Sequence, residues 1–332
     1  DKIVDGIFFF PYDLPFSVKR IASTIRPSMV IIVETDIWPN FLSEIKSRNV
    51  PIILTNAKLS NRSYSGYRRI MAFARQIMSC FTAICCQSRE DANRFKQLGI
   101  PDDIISVTGN IKFDQDVVPL SGKDIDDLRG SMGINRQQLV WIAGSTHDGE
   151  EAIIQQAYDM VRKENPDLVM VVAPRHPDRA NSVARIFSVG GFNFSTLSQL
   201  NRNIPRKASD VIIIDTLGML KKLYAMADVA LFGGSLIHIR GIGGHNPLEP
   251  AALAKPILLG PHMRNFNEID EMLINAKGDI QLTDPESIYI AVNDLLKNRK
   301  RAQVMGQNAR HVYTTNSGAV MRTMTIVAGQ LA

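Results

Sequence analysis

Short, almost wholly apolar runs rich in β-branched residues alternate with amphipathic stretches along most of this 332-residue chain. In the first third, Ile7–Phe10, Met29–Val33, Pro51–Thr55, Thr82–Cys86 and Ile104–Val107 predict strands. Helical periodicity fills the gaps near Ser17–Ile25, Pro39–Arg48, Ser63–Met78 and Arg89–Leu98. Strands that are apolar at nearly every position are buried on both faces, which is the habit of parallel sheets. Strand and helix in strict alternation predict a doubly wound α/β domain.

The rhythm breaks between Phe113 and Gln138, a polar stretch with Pro119, Gly122, Gly130 and Gly133 and a short charged helix near Lys123–Arg129. It then restarts with strands at Val140–Ala143, Leu168–Ala173, Val211–Ile214, Val229–Phe232 and Pro256–Leu259. Helices are expected near Glu150–Glu164, Asp178–Val189, Leu217–Met226, Pro247–Ala254, Phe266–Asn275, Pro285–Lys297, Lys300–Tyr313 and Ala319–Leu331. The organisation expected is therefore a Rossmann-like domain over 1–116, a connection over 117–138 and a second Rossmann-like domain over 139–312. A C-terminal helix over 313–332 is expected to pack back on the first domain. Open parallel sheets bind ligands at the carboxyl ends of their strands, so two such domains would line a cleft with their strand ends.

Those strand ends carry the candidate chemistry. In the second domain they are Ser145-Thr146-His147, Pro174-Arg175-His176-Pro177, Asp215-Thr216-Leu217-Gly218-Met219 and Gly243-Gly244-His245-Asn246-Pro247-Leu248-Glu249. The last segment reads as a glycine loop opening a helix, where backbone N–H groups can approach a phosphate. Glu249, one turn in, could accept hydrogen bonds from sugar hydroxyls, and Arg175 could neutralise a phosphate. Purely structural readings stand beside these: Ser145 and Thr146 as helix caps, Arg175 as a solvated turn residue, the glycines as a plain turn. His147, His245 and His262 have no recognisable metal-ligand spacing. In the first domain, Glu34 follows the second predicted strand and Lys112 lies in Gly109–Asp114. Lys58, Arg62, Arg68 and Arg69 make a basic edge. Glu34 is a catalytic candidate or a charge complementing the next helix; the basic edge is equally a solvated face.

Composition narrows the field. Hydrophobic residues are 45% and charged residues 21%, an ordinary globular balance. The net charge of +5 favours an anionic partner. Aromatic residues are not interleaved with basic ones as a nucleic-acid stacking platform requires, so no nucleic-acid partner is expected. The three cysteines, Cys80, Cys85 and Cys86, form no disulfide or metal pattern and read as core filler in a reducing compartment. No apolar run approaches the roughly 18 residues of a membrane span.

Taken in order, the motifs resemble the 3-deoxy-D-manno-octulosonate (Kdo) transferases. The matching stretches are FPYDLP at Phe10–Pro15, VETDIWPN at Val33–Asn40, NAKLSNRSYSGY at Asn56–Tyr67 and TGNIKFD at Thr108–Asp114. They continue with GSTHDGEE at Gly144–Glu151, PRHP at Pro174–Pro177, DTLGML at Asp215–Leu220, GGHNPLEPAA at Gly243–Ala252 and LGPHMRNF at Leu259–Phe266. The resemblance implies a GT-B fold and inverting, metal-independent transfer of Kdo from CMP-Kdo to a lipid A precursor. That work belongs to lipopolysaccharide biosynthesis on the cytoplasmic face of the inner membrane of Gram-negative bacteria. Expected partners are CMP-Kdo, the lipid A precursor and an anionic membrane surface, with no cofactor or metal. CMP would be bound by Ser145, Thr146, Pro174, Arg175, Leu217, Gly218, Met219, Gly243, Gly244, Asn246, Pro247, Leu248 and Glu249. Glu34 and Lys112 would stabilise the transition state, with Lys112 suited to the donor's carboxylate, and Lys58 and Arg62 would lie on the acceptor side. Another GT-B nucleotide-sugar enzyme, or a catalytically dead CMP- or lipid A-binding module, would share much of this pattern.

Two departures accompany the resemblance. The family's general base is a glutamate in a Ser-x-Gly-Glu loop upstream of FPYDLP, whereas this sequence opens at Asp1, nine residues before Phe10. It reads as part of a longer polypeptide without that base or a membrane anchor, and is expected to be nearly inactive alone, since a positioned base contributes roughly 10²–10⁴-fold. The segment Ser235–Ile242 is also longer than the family's usual link, a change that loops tolerate.

Overall fold

The computed structural model describes residues 4–117, 119–201 and 209–331. They divide into two compact units, Asp1–Asp114 with Asn316–Ala332, and Gln115–Thr315.

The first unit holds a four-stranded parallel sheet in the order β1-β2-β3-β4: Val30–Val33, Ile52–Ala57, Ala83–Cys86 and Ile105–Val107. Strands β2 and β3 are buried at every position, as their uniform apolarity requires. The expected strand Ile7–Phe10 does not form. No described strand pairs with it, and an extended segment without a partner leaves its backbone groups to water. The side chain of Phe9 is fully exposed, while Phe10 packs on Trp38 and Phe41 with ring centres 5.3 and 5.0 Å away. The expected single helix over Ser63–Met78 is two, Asn61–Arg69 and Met71–Met78, broken where Ile70 leaves helical torsions. Cys80, Cys85 and Cys86 are buried free thiols, and burial pushes Cys86 up to about 12 and Cys85 to about 11.

The C-terminal helix Ala319–Gly329 belongs to this unit. Val327 packs with Ile53, Ala83 and Cys85. The carboxylate of Asp114 accepts the N–H groups of Gly318 and Val320, both at 2.5 Å, and Arg322 Nε donates to Thr108 O at 2.7 Å. The last helix thus fixes the Thr108–Asp114 loop from both ends.

The second unit holds a seven-stranded parallel sheet in the order β11-β10-β9-β5-β6-β8-β7. Its strands are β5 Val140–Thr146, β6 Val169–Pro174, β7 Phe194–Thr196, β8 Val211–Ile213, β9 Val229–Phe232, β10 Ile257–Leu259 and β11 Asp279–Gln281. The two edge strands, β7 and β11, have no apolar run to announce them. Their residues are Phe-Ser-Thr and Asp-Ile-Gln, three each and mostly polar. The stretch expected to connect the domains lies in this unit. Its helix, Gly122–Ser131, is held by buried Arg129, which donates to the carbonyls of Met226 (3.4 Å), Asn135 (3.1 Å) and Gln138. No described helix is long and apolar enough to cross a membrane.

Candidate functional site

In the second unit the loops after β5, β6 and β9 are stitched together by backbone. Arg175 N–H donates to Thr146 O at 2.9 Å, Gly233 N–H to Gly144 O at 2.9 Å and Gly244 N–H to Gly234 O at 2.9 Å. Gly244 has a φ of +78°, and a side chain there would overlap the Met263 sulfur. At Gly233 a side chain would meet the Thr146 backbone and come within 2.8 Å of Glu150 Oε2.

The centre of this stitching is Glu150, whose side chain has no exposed surface. Oε2 accepts the N–H groups of His147 (2.9 Å) and Gly234 (2.7 Å), and Oε1 those of Ser235 (3.0 Å) and Leu236 (2.9 Å). Burial pushes this carboxyl upward and the four backbone donors pull it back toward the charged form. The carboxylate thus acts as an internal anion bound by a ring of backbone N–H groups, tying the β5 loop to the turn after β9. Glu151, equally buried, pairs with Arg179 through both oxygens, at 2.6 and 3.2 Å. Sequence reasoning reached this Glu-Glu pair only within a motif. Acids at a helix start are usually exposed partners of the helix dipole, and nothing in their spacing signals burial.

His147 and His245 also join the β5 and β9 loops. Their Nε2 atoms are 2.7 Å apart and their rings stack at 2°. Burial, then the charges of His147, Arg175 and His176, holds His245 down at about 4. Burial first and His176 next lower His147 as well. Both imidazoles are neutral near pH 7, one donating and the other accepting. His176 lies 6.2 Å from His147, ring centre to ring centre, while His262 faces His238 instead, at 5.8 Å. Among the described residues no group of three or more His, Cys, Asp or Glu is placed to hold a metal.

The expected nucleotide ligands sort into side-chain and backbone contributors. Arg175 is exposed, and its guanidinium makes no hydrogen bond or ion pair among the described residues. Its charge helps to lower both imidazoles, so it lies near the His147–His245 pair. Ser145 is half-buried with a left-handed φ of 56°. The Thr146 hydroxyl is enclosed and finds no partner among the described residues, so Thr146 offers the site only its backbone. Leu248 and Pro247 are likewise buried, and Pro174 closes β6 as a buried residue. Leu217 is exposed, and the helix expected from it begins only at Leu220, because Gly218 at φ +82° turns the chain first.

The helix expected from Pro247 to Ala254 is five residues, Leu248–Ala252. Asn246 Oδ1 accepts the Leu248 N–H at 3.1 Å and Pro250 has none to give. A one-turn helix with its first donor already used offers a phosphate far less than a full helix terminus. Glu249 is partly buried, raised by that burial and lowered by Lys221, and it in turn raises Tyr224. These couplings put Lys221 and Tyr224 near Glu249.

The first unit places its candidates at the carboxyl end of its own sheet. Glu34 follows β1, exposed, with a left-handed φ of 64° and its N–H on Thr55 O at 2.9 Å. A non-glycine residue there costs of order 1–3 kcal/mol and clusters at functional sites. Lys112 sits in the 3₁₀ turn Ile111–Phe113 after β4. That turn is tied to β2 by Asn56, buried and left-handed (φ 52°), whose Oδ1 accepts the Ile111 N–H at 3.0 Å. Lys58 is exposed, its N–H on Thr35 Oγ1 at 3.1 Å, and the next residue is pinned by Asp91, which accepts Leu59 N–H at 2.8 Å. Arg62 is exposed on the helix that Ser60 caps.

Two Rossmann-like units, one with its loops joined at three adjoining strand ends, define a protein of the GT-B fold class. The solved C-terminal CMP-Kdo binding domain of WaaA from Acinetobacter baumannii is 28% identical, with a TM-score of 0.52 over 57% of this chain and 96% of that one. UDP-GlcNAc 2-epimerase from Neisseria meningitidis shares the fold at 14% identity, with a TM-score of 0.58 over 95% of this chain and 80% of that one. The 3-deoxy-D-manno-octulosonic-acid transferase (Kdo transferase) family profile matches residues 2–115. The 3-deoxy-D-manno-octulosonic acid transferase of Haemophilus influenzae is 34% identical over 97% of this chain and 75% of its own length. The chain belongs to the Kdo transferase family.

Proposed function

We propose that this chain acts in the inverting, metal-independent transfer of Kdo from CMP-Kdo to a lipid A precursor at the inner membrane of a Gram-negative bacterium. The observation that carries the reading is the Arg175 guanidinium, without a hydrogen bond or ion pair among the described residues and near the His147–His245 pair, on loops joined by Glu150 to the glycine turn. A cytidine monophosphate leaving group has one phosphate. A guanidinium with backbone donors beside it can balance that charge without a cation.

In this reading the acceptor hydroxyl attacks the anomeric carbon, its proton passes to a general base and the bond to the CMP oxygen breaks. Arg175, Ser145 and the Gly243-Gly244 backbone take the phosphate, Glu249 the ribose hydroxyls, and Pro174 with Leu217-Gly218-Met219 the cytosine. Thr146, Asn246, Pro247 and Leu248 shape the pocket through their backbone. Glu34 opposes positive charge at the reacting carbon, Lys112 balances the carboxylate that Kdo carries beside that carbon, and Lys58 and Arg62 face the anionic acceptor and membrane.

A nucleotide titration tests the donor half: CMP should protect the chain against thermal unfolding at concentrations where UMP and UDP do not. Equal protection by all three would overturn it. Vesicles of anionic lipid should bind at low salt and release at high salt, where screening is complete within a few ångströms; salt-independent binding would remove the membrane surface from the proposal.

A further inference from the structure

Lys112 stands two residues before the point where the chain leaves the first unit, after Asp114, to return at Asn316. Its turn follows strand β4 but has no element of its own unit after it until the last helix, Ala319–Gly329. The forward side of the turn is therefore held by residues that follow the return. Asp114 takes the N–H groups of Gly318 and Val320 on its two oxygens, and Ser317 Oγ donates to Phe113 O at 3.2 Å. Arg322, one turn into the helix, donates Nε to Thr108 O at 2.7 Å, and both of its terminal nitrogens reach Ser317 O at 3.2 Å. A Cβ on Gly109, where φ is +94°, would come within 2.9 Å of Arg322 Nη2, so the guanidinium packs directly on the loop. From the other side, Asn56 Oδ1 and Asn110 Oδ1 accept the Ile111 and Lys112 N–H groups at 3.0 and 2.9 Å.

Arg322 joins the two ends of this arrangement: one guanidinium spans the carbonyl that opens the loop, at Thr108, and the carbonyl that precedes the helix, at Ser317. No carboxylate among the described residues pairs with it. A planar fork of fixed donors can hold two carbonyls at a set separation, which a flexible ammonium does poorly. The side chain is exposed and has water as an alternative partner, and holding it in one rotamer costs up to about 2 kcal/mol. What it fixes in return is the loop that carries Lys112.

We infer that Arg322 is a positioning residue for Lys112: by holding Thr108 O and Ser317 O together it sets where the lysine stands when the donor's carboxylate arrives. The inference rests on the reading of Lys112 given above. Its consequence is that the effect of Arg322 on donor binding passes through Lys112 alone.

Affinities of CMP and CMP-Kdo, measured by calorimetry on the wild-type chain, Arg322→Met, Lys112→Gln, the double variant and Met321→Ala, test it. Methionine keeps the stem and the helix while removing every donor, and Met321 is an exposed neighbour on the same helix that serves as the control. Lys112→Gln should lower CMP-Kdo affinity about tenfold, the scale of one charged hydrogen-bonded pair, and leave CMP within about twofold. Arg322→Met should lower CMP-Kdo affinity about three- to fivefold, leave CMP unchanged and add nothing in the Lys112→Gln background. Met321→Ala should move neither ligand. If Arg322→Met leaves CMP-Kdo affinity unchanged while Lys112→Gln lowers it, the arginine holds the loop without setting the lysine and the inference is overturned. Losses that add in the double variant, or an equal loss of CMP, overturn it too. An unchanged ratio between the two ligands in Lys112→Gln would remove the reading of Lys112 and this inference together. Should Arg322→Met not fold, judged by circular dichroism, Asp114→Asn, which keeps one acceptor oxygen of two, is measured in its place with the same expectations.

Discussion

Glu150 Oε2 accepts the Gly234 N–H at 2.7 Å, and through that bond a helix that begins after β5 holds the turn that ends β9. Because each carboxylate oxygen serves two backbone donors, no neutral isostere can replace it. In Glu150→Gln one terminus becomes an NH₂ facing two N–H groups. Stranding a buried donor costs about 1–3 kcal/mol. The variant should lose about 3 kcal/mol in urea unfolding and bind CMP at least tenfold more weakly while folded. A variant as stable as the parent, with unchanged CMP affinity, would show that the turn holds itself.

The paired imidazoles give the same loops a pH limit. His245 is held at about 4, below the ordinary imidazole value near 6.5, so it is buried neutral. Its contribution is present above pH 6.5 and is lost as pH falls toward 4. Protonation would face the second imidazole, His176 and the Arg175 guanidinium from the neighbouring loops, with Glu151 beside His147 the main acid in reach and already engaged by Arg179. The stability difference between wild type and His245→Gln should therefore shrink by on the order of 2 kcal/mol between pH 7 and 4.5. Parallel melting curves across that range would count against the pair as the titrating group.

The sheets were legible because their inner strands are apolar throughout: β5, β6 and β9 appear in the sequence within three residues of their bounds. The edge strands β7 and β11 were not, since three polar-rich residues carry no period. Strand ends pointed to Arg175, Glu249, Glu34 and Lys112, but spacing says nothing of enclosure. The Thr146 hydroxyl and the Glu150 carboxylate are both at strand-end loops, and both turn inward. The Pro247 helix looked long because Ala251–Ala254 continues its apolar face, yet its length is set by hydrogen bonds that a composition pattern does not contain.

Arg175 and Glu249 should separate phosphate from sugar recognition. Arg175→Ala removes an uncommitted guanidinium and should weaken CMP about 10- to 100-fold, the range of a charged hydrogen-bonded contact, with cytidine affected little. Glu249→Gln should weaken CMP and cytidine alike. Titration of both ligands against both variants checks the assignment. Loss of cytidine binding in Arg175→Ala, with the fold intact by circular dichroism, would place that residue elsewhere than at the phosphate.

Remote from these loops, Asp270 and Asp279 form a buried acid pair. Neither oxygen of Asp279 finds a donor among the described residues, and Asp270 Oδ1 finds none, although Gln281 Nε2 donates to Asp270 Oδ2 at 3.0 Å. Two carboxylates supply only acceptors, so a hydrogen bond between them exists when one carries a proton. Burial first, then Asp270, pushes Asp279 up to about 7. A folded value above the unfolded one, about 3.9 for Asp, means stability that is complete below that value and lost as pH rises through 7. Asp279→Asn supplies a permanent donor to Asp270 and removes the charge. It should stabilise the chain at pH 8.5 by on the order of 2 kcal/mol and be close to neutral at pH 5. The measurement is the urea midpoint of both proteins at the two pH values; a variant destabilised equally at both would mean that Asp279 is not the group that titrates near neutrality.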